Sequence, residues 1–162
     1  MDAEYTISED DYVNAMKLYS RFTPRLALIY GIGFLVLLLF AVFGSPTLKS
    51  GAIGGLIGGG IVTVLGRFLI SPILARRHYK KYKAIHLPIH IGLKDEGVGF
   101  STSDGGGVVR WENIYKWRQN DRYLLIYPMP RLYHIIPKSI ESSGFDISAL
   151  VAMLQAKVGK ET

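Results

Sequence analysis

The sequence predicts an α+β membrane protein: a two-helix transmembrane hairpin, then a small antiparallel β unit closed by a C-terminal amphipathic helix. Three observations predict it. Two long apolar stretches lie between residues 26 and 69, short alternating runs punctuated by turn residues begin at Pro88, and an apolar stripe of 3.6-residue period ends the chain. Composition sets the outer bounds. The chain has 162 residues, 49% of them hydrophobic, and a formal charge of +6. A mean hydropathy of +0.21 beside 20% charged residues requires the apolar residues to be unevenly spread. There is no cysteine, which excludes disulfides, a thiolate zinc site and a catalytic thiol. Aromatics at 12% argue against disorder over most of the chain.

Residues 1–24 form a short cytoplasmic segment. Ala3-Glu4-Tyr5-Thr6-Ile7 alternates as a strand does. Ser8 reads as a helix N-cap, with Glu9, Asp10 and Asp11 in the first turn, where the helix dipole favours negative charge. Tyr12, Ala15, Met16 and Tyr19 fall on one helical face. Asp10 and Asp11 are adjacent and so do not face one another on a helix. Capping therefore explains them better than acid–base or metal chemistry. Pro24 ends or kinks this helix.

Residues 25–75 form the transmembrane hairpin, with spans at about 26–43 and 51–69. The first is the stronger, because 23 residues without a charge separate Arg25 from Lys49 and roughly 20 suffice to cross a bilayer. A signal peptide would sit at the N-terminus behind a basic leader; here the preceding segment is acidic. The second span is glycine-rich, but in lipid the backbone has no partner other than itself, so the helix is retained. Gly44-Ser45-Pro46-Thr47 supplies the connection. Gly51, Gly55, Gly59 and Thr63 form a small-residue stripe that allows close helix approach, either on the hairpin partner or between chains in a homo-oligomer. Arg67, a functional candidate as any charge within a span is, falls at the interfacial end, where the blander reading is a long side chain snorkelling to the headgroups.

Lys17, Arg21 and Arg25 precede the first span, and a basic linker over residues 76–84 follows the second. The connecting loop has only Lys49. Positive residues stay on the cytoplasmic side, so both termini are expected there, with the short loop outside. In the linker, Arg76, Arg77, Lys80, Lys81 and Lys83 place five cations in eight residues without an acid. Such a run binds anionic headgroups as well as setting topology. Since the membrane accounts for the charge, no nucleic acid is expected.

Residues 85–162 form a β-rich cytoplasmic domain. Ile89–Leu93 and Val98–Thr102 read as a hairpin around Asp95-Glu96-Gly97. Ser103-Asp104-Gly105-Gly106-Gly107 reads as a turn into Val108–Trp111. Ile114–Gln119, Tyr123–Tyr127 and Leu132–Ile136 complete six short strands by hairpin spacing. Asp146 reads as the N-cap of a last helix whose Ile147, Leu150, Val151, Leu154 and Val158 make one apolar face. A curled meander closed by that helix buries both faces.

Four motifs stand out in order along the chain: Tyr5-Thr6-Ile7-Ser8-Glu9-Asp10-Asp11-Tyr12, Trp111-Glu112-Asn113-Ile114, Asp121-Arg122-Tyr123-Leu124-Leu125-Ile126-Tyr127 and Ile135-Ile136-Pro137-Lys138. Together with the layout they resemble the YcxB-like family of bacterial membrane proteins. Trp111, Ile114, Pro137 and Lys138 are the motif residues carried over. The resemblance implies a C-terminal half-barrel similar to bacterial pleckstrin-homology-like domains, plugged by the last helix, in a bacterial inner membrane. It implies no activity, and the triple glycine departs from the pattern.

Chemistry-bearing patterns are sparse. His86 and His90 have a helical metal spacing interrupted by Pro88, and His78 and His134 stand apart. Asp104-Gly105-Gly106-Gly107 lacks the ending of a phosphate loop, and no elbow surrounds Ser101 or Ser103. Trp111 and Trp117 with Tyr115, Tyr123, Tyr127 and Tyr133 read as core and cross-strand packing rather than a ligand platform. No catalytic residue, cofactor or metal is expected. The expected function is a non-enzymatic, membrane-tethered binding or scaffold module whose partners are anionic headgroups and an unidentified protein. Two alternatives belong to other classes: an oligomeric small pore or transporter component, and an immunity-like inhibitor of a membrane enzyme.

Overall fold

The computed structural model describes residues 2–20 and 24–161. It divides the chain into two compact units, one from Met1–Tyr19 with Ala75–Thr162 and one from Ser20–Leu74. Arg21, counted above among the orienting cations, lies outside the described residues.

The unit over residues 20–74 is built on two helices long and apolar enough to cross a membrane, α2 (Pro24–Phe43) and α3 (Pro46–Leu65). The second begins five residues before its expected start, at Pro46 rather than Gly51, a correction with a local cause. Ser45 is extended, and Pro46 occupies the first helical turn, where its missing N–H costs nothing. That leaves Gly44-Ser45 as the whole connection. A side chain on Gly44 would meet the Phe40 carbonyl oxygen, so the turn needs glycine there. After α3 a π-helical turn, Gly66–Ile70, carries Arg67, about 30 Å along the axis from the start of α3. Helix α4 (Ser71–Lys81) then continues the chain. Most of the expected basic linker is therefore helix.

The small-residue stripe is only partly used inside this unit. A Cβ on Gly55 would lie 3.8 Å from the Leu37 side chain, whereas Gly51 and Gly59 face open space. The Thr63 hydroxyl turns back to the Gly59 carbonyl at 2.7 Å. A groove of about 810 Å³ runs past Tyr30, Phe34, Leu37, Gly55, Gly59 and Thr63.

Among the described residues the other unit contains two antiparallel sheets rather than one curled meander, and no closed barrel. In the first, the order is β1 (Asp2–Tyr5), β2 (Ile89–Lys94), β3 (Gly97–Thr102), β4 (Gly105–Arg110). In the second, it is β5 (Lys116–Gln119), β6 (Tyr123–Met129), β7 (Leu132–Pro137). The N-terminal strand thus joins the C-terminal sheet, with Ala3 opposite Ile91 and Tyr5 opposite Ile89. Alternation puts Ala3, Tyr5, Ile91, Val98 and Phe100 on the buried face, where they meet Trp117, Leu125, Ile136, Leu150 and Leu154 in one core.

Two sequence readings shift. The triple glycine is not a turn. The turn is Ser103-Asp104 alone, and Gly105, Gly106 and Gly107 lie in β4 opposite Thr102, Ser101 and Phe100. Trp111, expected to end the strand from Val108, instead opens a short 3-10 turn, Trp111–Asn113, and the strand expected from Ile114 begins at Lys116. The Trp111 N–H donates to Glu96 O at 3.1 Å and its indole N–H to Asp95 O at 2.9 Å, which pins the corner to the β2–β3 turn.

Helix α1 (Glu9–Tyr19) starts at a reciprocal cap: Ser8 Oγ accepts from the Asp11 N–H at 3.1 Å, and Asp11 Oδ2 accepts from the Ser8 N–H at 3.0 Å. Its buried face is Val13, Ala15 and Leu18, with Tyr12, Met16 and Tyr19 half-exposed beside it. The expected face was rotated because the tyrosines border a cleft instead of filling the core. Helix α5 (Ile147–Lys157) is capped as expected, Asp146 accepting from the Ala149 N–H at 2.7 Å.

Candidate functional site: a tyrosine-lined cleft beside a basic helix end

Helix α1, the turn at Lys83–His86 and strand β7 converge on an open cleft of about 640 Å³. Its walls include Tyr5, Tyr12, Tyr19, Tyr82 and Tyr133, with Arg131 at the edge. Tyr19 stacks on Tyr133 at 5.1 Å and 21°, and Tyr133 leans on Tyr127 at 5.4 Å. Burial pushes the Tyr133 hydroxyl above its ordinary range, and burial followed by the neighbouring Tyr82 raises Tyr12. The Tyr133 and Tyr12 hydroxyls are thereby held in the neutral form. The tyrosines offer aromatic surface with hydrogen-bonding edges.

The floor is held by long-range contacts that the sequence does not announce. Arg118 is buried in β5 and donates Nη1 to the carbonyl of Tyr19 at 3.0 Å, closing the C-terminal end of α1. The Tyr123 hydroxyl donates to Asp11 Oδ1 at 2.7 Å, so the capping carboxylate of α1 also ties to β6. Burial pulls Asp11 upward, but hydrogen bonds from the Ser8 hydroxyl, the Tyr123 hydroxyl and the Ser8 N–H outweigh it and leave the carboxyl below its ordinary value. His134 lies flat on Phe100 at 4.1 Å, and burial lowers its pKa, keeping the ring neutral. Burial raises the Tyr127 hydroxyl to about 12 despite Arg118, while Lys116 Nζ lies 5.0 Å from its ring centroid.

The basic residues fall in and after the last turns of α4, where cations suit the helix dipole. Arg77, Lys80, Lys81 and Lys83 are exposed. Arg76 is engaged differently: its two Nη atoms reach Glu9 Oε1 at 2.8 Å and Asp10 Oδ1 at 3.0 Å. The acids of the α1 cap thus fasten the start of this part of α4. Tyr79 adds a second tie, its hydroxyl donating to Ile7 O at 2.8 Å. The residues available to an anionic surface are the other four.

The motif residues are structural. Trp111 and Ile114 are buried at the corner before β5, and Pro137 is buried at the end of β7. Lys138 follows it, donating Nζ to Gln119 Oε1 at 2.9 Å and its N–H to Arg122 O at 2.8 Å. Trp117, Tyr123 and Tyr127 fill the core, while Tyr115 is exposed. The four histidines do not assemble; among the described residues no group of three or more His, Asp or Glu is placed to hold a metal.

The family model described as YcxB-like protein matches residues 93–154, which run from the end of β2 into α5. No curated protein and no solved structure matches the chain.

Proposed function

We propose that this chain, which carries a YcxB-like domain over residues 93–154, is a non-enzymatic, membrane-tethered binding module of a bacterial cytoplasmic membrane. The observation that carries the reading is the exposure of apolar side chains on α2 and beyond: Leu28 at 65%, Phe34 at 59%, Val62 at 71% and Phe68 at 69%. In water so much contiguous apolar surface is an aggregation liability; in lipid it needs no cover. The pairing of β1 with β2 supports the hairpin topology. Residues on either side of 20–74 share one sheet, so a membrane crossed by that segment is crossed an even number of times. The excess of Lys and Arg outside the Gly44-Ser45 connection supports a cytoplasmic location for both flanks.

In this reading Arg77, Lys80, Lys81 and Lys83 hold anionic headgroups, and the tyrosine-lined cleft receives an aromatic or apolar segment of a partner protein. The test uses full-length protein in nanodiscs with an environment-sensitive dye on Ala84→Cys, next to the four cations. The dye should shift as phosphatidylglycerol replaces phosphatidylcholine, and the shift should vanish at high salt. Emission indifferent to lipid charge, together with ion flux in proteoliposomes, would instead assign the chain to the pore class.

A further inference from the structure

β4 is an unguarded sheet edge. Among the described residues its one strand neighbour is β3, and the six pairs between them run without a bulge. The opposite edge, β1, carries Asp2 and Glu4, the kind of charge that blunts edge pairing. β4 reads Gly-Gly-Gly-Val-Val-Arg, with neither a proline nor an interior charge. The Trp111 N–H bond to Glu96 O fixes the alternation of the ladder. Val109, Gly107 and Gly105 bond to β3, and the backbone groups of Gly106, Val108 and Arg110 point away from it.

The glycines are accounted for one by one, with a remainder. Gly105 has φ +146°, and a Cβ on Gly106 would lie 2.6 Å from the Ser101 Cβ. Gly107 has neither constraint: open space surrounds it. Within one chain nothing requires glycine there.

We propose that β4 joins two copies of this chain, paired antiparallel about a two-fold axis at Gly107. Outward-pointing residues must meet outward-pointing residues, and this register satisfies that: Gly106 faces the second copy's Val108, and Gly105 faces its Val109. Each valine then lies over a glycine. On the buried side the incoming Val109 enters a groove of about 380 Å³ beside Phe100, Gly105, Gly107 and His134. On the other side Val108 enters a depression of about 530 Å³ lined by Gly99, Ser101 and Gly106. The ends are complementary in charge. Asp104 of one copy comes opposite Arg110 of the other, twice by symmetry. Arg110 is released at little cost from its own exposed pairing with Glu112, which is 3.9 Å long. At the axis the two Gly107 Cα atoms approach to about 4.5 Å, as in a non-hydrogen-bonded pair, a distance within disulfide range.

The cysteine-free chain makes the test direct. Full-length Gly107→Cys in detergent under mild oxidation should form a disulfide-linked dimer at least tenfold faster than the exposed Ser139→Cys. Asp104→Arg should weaken the dimer of the otherwise native chain about tenfold by sedimentation, and Asp104→Arg/Arg110→Asp, which swaps the charges of both ends, should restore it. Crosslinking of Gly107→Cys no faster than Ser139→Cys overturns the proposal, whether the chain is then monomeric or associates through other residues. Failure of the double exchange to restore association overturns this register.

Discussion

The Tyr5 hydroxyl donates a 2.8 Å hydrogen bond to the carbonyl oxygen of Ile135, 130 residues further along the chain. The contact is buried, and it locks β1 of one sheet to β7 of the other. Burial holds the phenol protonated far above its ordinary range, so it acts as a permanent donor. Tyr5→Phe keeps the ring but leaves that carbonyl without its partner. The expected loss is about 1–3 kcal/mol, read by denaturant unfolding of the full chain. Trp111 and Trp117 are convenient reporters, since both tryptophans lie in this unit.

Arg118 spans a similar distance in sequence. Arg118→Met fills much of the same space but gives nothing to the Tyr19 carbonyl. Stability should fall by about 2 kcal/mol, the scale for a hydrogen bond from a charged group. Amide exchange should quicken in the last turn of α1 more than in β6. Uniform quickening would show that Arg118 supports the core as a whole rather than this helix end.

Acid should weaken the unit in two stages. His134 has a depressed pKa when folded, so the stability its burial contributes is complete above the unfolded value of about 6.5 and is lost as pH falls through and below it. Asp11 is also depressed, and its contribution is present above about 3.9 and lost further into acid. His134→Gln should flatten the dependence between pH 7 and 5, and Asp11→Asn should flatten only the part below pH 4. Unfolding midpoints across pH check both.

The hairpin is open to chemical mapping. In whole cells an impermeant thiol reagent should label Thr47→Cys, next to the Gly44-Ser45 connection, and spare Ser139→Cys, with both labelled after lysis. Labelling of Ser139→Cys in intact cells refutes the orientation proposed above.

Gly55 divides from its glycine neighbours by contact. A Cβ there would sit at ordinary van der Waals distance from Leu37, so Gly55→Ala should be accepted, while Gly55→Leu should force α2 and α3 apart. The same pair of changes at Gly51, which faces open space, should do neither. Proximity labelling between α2 and α3 in detergent distinguishes the sites.

What the sequence disclosed was mostly local. Ser8 and Asp146 were legible as caps because each bonds to a backbone N–H three residues on. The apolar spans were legible from length. Pro46 misled because the proline that ends one reading also opens a helix, and Gly105–Gly107 misled because glycine signals a turn more strongly than it signals an edge strand. The contacts that build the cleft left no sequence signature. Arg76 with Glu9, Tyr123 with Asp11 and Arg118 with Tyr19 join residues 67, 112 and 99 positions apart. Each is an ordinary polar residue until the chain folds. The neutrality of His134 was equally invisible, since it comes from burial against Phe100.

Because β1 belongs to a sheet whose next strand begins only at Ile89, synthesis separates the two partners in time. At roughly 5–20 residues per second the ribosome needs on the order of ten seconds to make the intervening chain. Throughout that interval Tyr5 has neither β2 nor Ile135 to meet. The newborn N-terminus therefore waits as an unpaired acidic strand and helix, and the apolar helices emerge before it can dock. Slowing translation between residues 20 and 88 should lengthen that wait without touching the finished fold.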